Sequence, residues 1–132
     1  MQKPPVNSVL DASALMALVF QEAGRERVDG AIDAGAAILS VNLAEVITKM
    51  QEQGMSEARI RPILSTIRAQ VVPFDEDLAY RAGLLRSKTR AVGLSLGDRA
   101  CLALAGRLGV PALTSDRAWG ALQLGVQIDV IR

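Results

Sequence analysis

The chain has 132 residues, half of them apolar but only 3% aromatic, and a formal net charge of +1. That composition describes one domain with an aliphatic core, too short for two, and it lacks the aromatic platforms on which single-stranded bases stack. There is no histidine and Cys101 is the only cysteine, which excludes Ser-His-Asp and Cys-His catalysis, His- or Cys-based zinc sites and any internal disulfide.

In chain order, Met1–Pro5 is expected to be a flexible tail ending in two prolines, ahead of a single domain over 6–132. Ser8–Leu10 predicts a short buried strand and Ala12–Phe20 a helix. The run Val9–Phe20 is apolar except for Asp11 and Ser13 but too short to cross a bilayer, and no secretory cleavage pattern follows. A soluble cytoplasmic protein with no membrane partner is expected. Residues 21–35 carry the pattern of an amphipathic helix, and Ala36–Leu39 that of a second buried strand. Ser40–Gln53 reads as a helix stopped by Gly54, and a further helix from Glu57 to about Gln70 contains Pro62, which should kink it or move its start. Val71–Phe74 predicts a strand, and Asp75 opens a helix through Leu78, Ala82 and Leu85. Ser95 and Gly109 bracket a helix over Leu96–Leu108; strand 110–114, a short helix 116–122 and strand 126–131 complete the chain. Strands and helices alternate throughout. The fold class is therefore α/β, a small and mostly parallel sheet of four to five strands with helices on both faces.

Four acids fall where such a fold concentrates chemistry. Asp11 follows the first strand, Glu45 lies in the first turn of the helix after the second, Asp98 in the first turn of the late helix, and Asp116 just after strand 110–114. Each has a plain structural explanation, since Asn42-x-x-Glu45 and Ser95-x-x-Asp98 resemble capping boxes and Asp11 and Asp116 can cap helices. Jointly they mean more, because three follow strands and should meet at one sheet edge. Two unit charges ~4 Å apart repel by about 4 kcal/mol at an effective dielectric of ~20, against ~0.3–1 kcal/mol from a helix dipole. An ionised cluster therefore calls for a cation. All-oxygen ligands suit Mg2+ or Mn2+, the usual equipment for phosphodiester hydrolysis. Charge distribution adds a weak hint, with 10 Lys/Arg against 6 Asp/Glu between Lys49 and Arg107; these are mostly solvated helix faces, though as a group they favour a polyanion.

Five segments, in order, resemble a PIN domain, and more closely the VapC-type toxins of bacterial toxin–antitoxin pairs. They are Leu10-Asp11-Ala12-Ser13-Ala14, Val41-Asn42-Leu43-Ala44-Glu45-Val46, Phe74-Asp75 with Ala79-Tyr80-Arg81-Ala82-Gly83, Leu94–Ala103, and Leu113–Trp119 with Gly125-Val126. The resemblance implies an Mg2+- or Mn2+-dependent endoribonuclease whose acidic quartet is Asp11, Glu45, Asp98 and Asp116. Asp11, Asp98 and Glu45 would hold the metal directly or through water, and Asp116 would complete the site or orient a water. Ser13, Asn42 and Thr114 would be the hydroxyl and amide neighbours. It also implies a cognate antitoxin as partner, RNA as substrate and a homodimer. The position two residues after Asp116, an acid in some relatives, is Ala118 here. Residues 54–70 match by pattern only, as a helical projection toward antitoxin and RNA. Two other readings stay open: a phosphoryl-transfer enzyme using Asp11 as nucleophile, although Ser13 stands where its second acid belongs, and a non-catalytic module that kept the fold as a scaffold.

Overall fold

A computed structural model describes residues 4–132. Five parallel strands, β1 (Ser8–Leu10), β2 (Ala36–Leu39), β3 (Gln70–Val72), β4 (Ala112–Thr114) and β5 (Ile128–Val130), lie in the order β3-β2-β1-β4-β5. The chain moves outward from β1 to β2 and β3, then returns to the other side of β1 for β4 and β5. The switch point therefore falls between β1 and β4, where Val9 and Leu10 pair with Ala112 and Leu113.

Alternation along the strands produces two cores. Val9, Ala37, Leu39 and Ala112 face one side, packed by helices α5 (Glu76–Leu84) and α7 (Leu96–Leu108) and by the fully buried Trp119. Leu10, Ile38 and Leu113 face the other, packed by α1 (Ala12–Val19), α2 (Arg25–Ala34), α3 (Ser40–Glu52) and α4 (Glu57–Ser65). Because neither face meets water, β1 and β2 are apolar at almost every position.

Several boundaries differ from those expected, each for a local reason. Gln21 and Gly24 take left-handed backbone conformations, so the second helix starts at Arg25 instead of running from residue 21. Pro62 leaves the start of α4 at Glu57, but the helix ends at Ser65, well short of Gln70. This frees Gln70 to open β3, which stops at Val72 ahead of Pro73. The helix expected from Asp75 is two, α5 and the four-residue α6 (Arg86–Thr89). Residues 117–121 form a 3₁₀ turn. Of the expected tail, Met1–Lys3 lies outside the described residues, while the Pro4 carbonyl accepts a hydrogen bond from Gln70 Nε2 at 2.7 Å. No helix among the described residues is long and apolar enough to cross a membrane.

Helix α7 has a capping box at Ser95 and ends on Gly109, whose φ of 67° is left-handed. Its inner face is seated in the core: Leu104 is fully buried, whereas Leu108, one turn later, is 41% exposed. Leu104→Ala should cost about 2–5 kcal/mol and Leu108→Ala less than ~1 kcal/mol. Chemical denaturation of both variants checks this, and equal losses would contradict the packing described.

Candidate functional site

The carboxyl ends of β1, β2 and β4 and the N-terminus of α7 meet at one edge of the sheet. The reason is directional: α7 leads into β4, so it runs against the strands and its first turn stands where they end. Asp11 comes one residue after β1 and is almost fully buried at 4% exposure. Its Oδ1 accepts the Ser13 hydroxyl at 2.7 Å and the Ala14 N–H at 2.7 Å, which caps α1. Ser13 Oγ in turn accepts the Ser115 N–H at 2.9 Å and lies 3.4 Å from Thr114 Oγ1. The start of α1 is thus tied to the end of β4 across the switch point.

Glu45 and Asn42 arise differently from what their spacing implies. Helix α3 begins at Ser40, directly after β2, so Asn42 is inside the helix and the Asn-x-x-Glu pattern is not a capping box. The Asn42 side chain is instead buried, and its Nδ2 donates to Glu45 Oε1 and to the Gly97 carbonyl, both at 3.0 Å. This joins α3 to the first turn of α7. Ser95-x-x-Asp98, by contrast, is a true capping box: Ser95 N–H donates to Asp98 Oδ2 at 3.0 Å, and Asp98 N–H to Ser95 Oγ at 3.2 Å. Asp116 is exposed at the rim. Its N–H donates to Thr114 Oγ1 at 3.0 Å and its Oδ1 accepts the Ala118 N–H at 3.0 Å.

Asp11 and Glu45 both feel the charge of Asp98. Burial raises the Asp11 carboxyl from its ordinary 3.8 to about 6; the Thr114 and Ser13 hydroxyls and the Ala14 N–H pull it back, and the charge of Asp98 pushes it up. Glu45 is also raised, first by partial desolvation and then by Asp98, against the stabilising Asn42 amide. Beneath them Cys101 is fully buried, and its thiol is pushed well up by burial and by Asp11, Asp98 and Glu45 together. It stays protonated as apolar floor and offers no thiolate. Among the described residues, no three His, Cys, Asp or Glu side chains stand close enough, as they are placed, to hold a metal ion at once. Of the expected residues, then, Asp11 and Glu45 lie within reach of the charge of Asp98, Ser13 joins Asp11 to the end of β4 beside Thr114, Asn42 holds Glu45, and Asp116 is exposed after β4. The Ser115 N–H that grips Ser13 was not anticipated, because a backbone donor has no side-chain signature.

The PIN domain family model matches residues 8–123. The chain belongs to the PIN domain family. No curated protein matches it by sequence. Solved structures of the same fold include a toxin–antitoxin complex from Klebsiella pneumoniae, 22% identical over 96% of this chain and 98% of that one, with a TM-score of 0.71. A DNA-bound VapBC from Salmonella typhimurium is 21% identical over 94% of this chain and 97% of that one, at 0.73. A sarcin–ricin-loop-cleaving toxin of Mycobacterium tuberculosis, VapC20, is 19% identical over 92% of this chain and 99% of that one, at 0.71.

The burial of Asp11 in this PIN domain has a measurable consequence. Its carboxyl titrates near 6 when folded against 3.8 when free, so between those values the folded chain keeps a proton that the unfolded chain has lost. The stability this proton carries is full below about pH 4 and disappears as pH rises through 6, a loss of about 3 kcal/mol. Asp11→Asn removes the charge, so in EDTA it should be more stable than wild type at pH 7 by up to that amount and similar near pH 4. Denaturation curves at both pH values check it. A mutant no more stable at pH 7 than at pH 4, relative to wild type, rejects the burial argument.

Proposed function

We propose that this PIN domain is a divalent-metal-dependent endoribonuclease acting as the toxin of a toxin–antitoxin pair, of the VapC type. The observation that carries the reading is the convergence of Asp11, Glu45 and Asp98 at the switch point, an excess of negative charge that a cation neutralises. The donors fit such an ion. They are carboxylates and hydroxyls with no imidazole and a thiol kept protonated, which suits Mg2+ or Mn2+. Mg2+ keeps much of its water shell, so one or two of these carboxylates would hold it directly and the others through water. Bound there, the ion supplies charge neutralisation at the phosphate and a more acidic attacking water.

The remaining roles belong to the chain's own groups. The Ser13 hydroxyl and the Ala14 N–H hold Asp11 against rotation, and Asn42 does the same for Glu45. Asp98 caps α7 with Oδ2 while its charge reaches both other acids, so it serves as cap and ligand together. Asp116, exposed after β4, completes the site or orients a water. Direct attack on phosphorus by Asp11 is less well served, because the group is buried and its Oδ1 already accepts two hydrogen bonds.

For the antitoxin we assign the apolar groove between α3 and α4, a cavity of about 670 Å³ lined by Leu43, Ile47, Ile60, Leu64 and Ile67 with Arg61 among its walls. An amphipathic helix laid into such a groove is a common recognition mode. Tyr80 and Leu84, one turn apart and exposed on α5, are the apolar face we assign to a homodimer.

Asp98→Asn tests the site. The amide oxygen still accepts from the Ser95 N–H, so the metal-free protein should melt close to wild type. The rise in melting temperature with Mn2+ and the cleavage of single-stranded RNA should fall together, cleavage by about a hundredfold or more. RNA cleavage that persists in EDTA, or in this mutant at full rate, would falsify the metal reading. Leu64→Glu tests the partner surface. It should abolish co-purification with an antitoxin encoded beside this chain while leaving RNA cleavage within about twofold of wild type. Intact co-purification moves the antitoxin elsewhere.

A further inference from the structure

Five glycines of this chain have ordinary backbone conformations, Gly30, Gly83, Gly97, Gly106 and Gly120. At four of them a Cβ would meet open space or an ordinary contact. At Gly97 it would collide with the carboxylate of Glu45, whose Oε1 is closest, with Cδ at 2.9 Å and Oε2 at 3.0 Å. Helix propensity favours alanine over glycine there, so the glycine is not explained by the helix itself. Nor is it explained by rigid packing, because the obstructing atoms are the far end of a flexible side chain that can swing away.

Asn42 makes the same contact specific. Its one NH2 group spans the Gly97 carbonyl and Glu45 Oε1. Both partners are acceptors there, so the amide cannot be reversed without setting oxygen against oxygen. Its own Oδ1 is left buried without a partner. One donated bond ties the amide to the Gly97 carbonyl and the other holds the Glu45 carboxylate beside it.

We infer that Gly97 is a positioning residue: the missing side chain is the seat on which Glu45 rests, clamped by Asn42 beside Asp98. The inference rests on the metal-dependent reading given above and adds that ligand spacing is set by a glycine on one helix and an amide on another. Loss of the seat displaces the Glu45 carboxylate without loosening the fold.

The experiment is a four-member cycle of wild type, Gly97→Ala, Glu45→Asp and the double variant, read by Mn2+ affinity from the electron paramagnetic resonance signal of free Mn2+, alongside metal-free melting curves. Gly97→Ala should melt at or above wild type, as Gly83→Ala on the open face of α5 should, yet bind Mn2+ about tenfold or more weakly. Glu45→Asp withdraws the carboxylate from α7, so adding Gly97→Ala to it should change affinity by less than about twofold. Equal Mn2+ affinity in wild type and Gly97→Ala, or the same loss in both backgrounds, overturns the inference and leaves the metal reading standing. A Gly97→Ala protein melting far below wild type makes the contact a packing requirement and also overturns it. A wild type that binds no Mn2+ overturns the metal reading, and this inference with it.

Discussion

Everything at the carboxyl edge of this sheet answers to one constraint: like charges have to be held near one another while partly removed from water. Unaided, Asp11, Glu45 and Asp98 would turn outward into solvent, where their repulsion is screened. Each is prevented by donors that do not move. The Ser13 hydroxyl and the Ala14 N–H hold Asp11, the Asn42 amide holds Glu45, and the Ser95 N–H holds Asp98. Hydrogen bonds to charged groups contribute roughly 1.5–3 kcal/mol each, comparable with the repulsion between neighbouring carboxylates. The carboxyls of Asp11 and Glu45 are still raised, first by burial and in smaller part by the charge of Asp98. In the function proposed above, a bound divalent cation relieves that unfavourable charge.

The carboxylates double as structural caps. Asp11 caps α1, Asp98 completes the capping box of α7, and Asp116 caps the 3₁₀ turn. A cap and a ligand need not compete, since a carboxylate has two oxygens and a helix N-terminus uses one. Economy of this kind explains why each acid read alone looks structural, and why only their common location argues for chemistry. It also ties the site to folding: Asp11, Asp98 and Asp116 help start the helical segments that follow them or carry them, and only Glu45 does not.

The fold adds precision through α7. That helix is buried from Ala100 to Ala105 against β1 and α5, which anchors it just beyond its first turn. Glu45 rides on α3, which follows β2 with no intervening loop. Two rigid helices therefore meet at their N-termini with Asn42 as the bolt between them. By contrast the α3–α4 groove is apolar and open, and Ile47 at its wall is more than a third exposed. Rigid chemistry and an uncovered apolar surface are thus separated on one small domain.

Much of this was legible in residue order. Ser95 and Gly109 mark both ends of α7, and the uninterrupted apolar runs at β1 and β2 announce strands covered on both faces. Local chemistry decides such features, so the sequence by itself determined them, along with the α/β class. Where local signals conflict, tertiary structure decided. Periodicity carried the second helix back to residue 21 and α4 on toward Gln70, but the left-handed turns at Gln21 and Gly24 and the parallel pairing of Gln70 with Ala37 overruled it. The site divides the same way. Asn42-x-x-Glu45 and Ser95-x-x-Asp98 look alike in the sequence, yet only the second is a cap. The first is bound to Gly97, 55 positions away, and no pattern within one helix encodes a partner on another. Which acids face each other, how far Asp116 stands from them and which backbone N–H grips Ser13 depend on how the strands are ordered, and that order exists only once the sheet has formed.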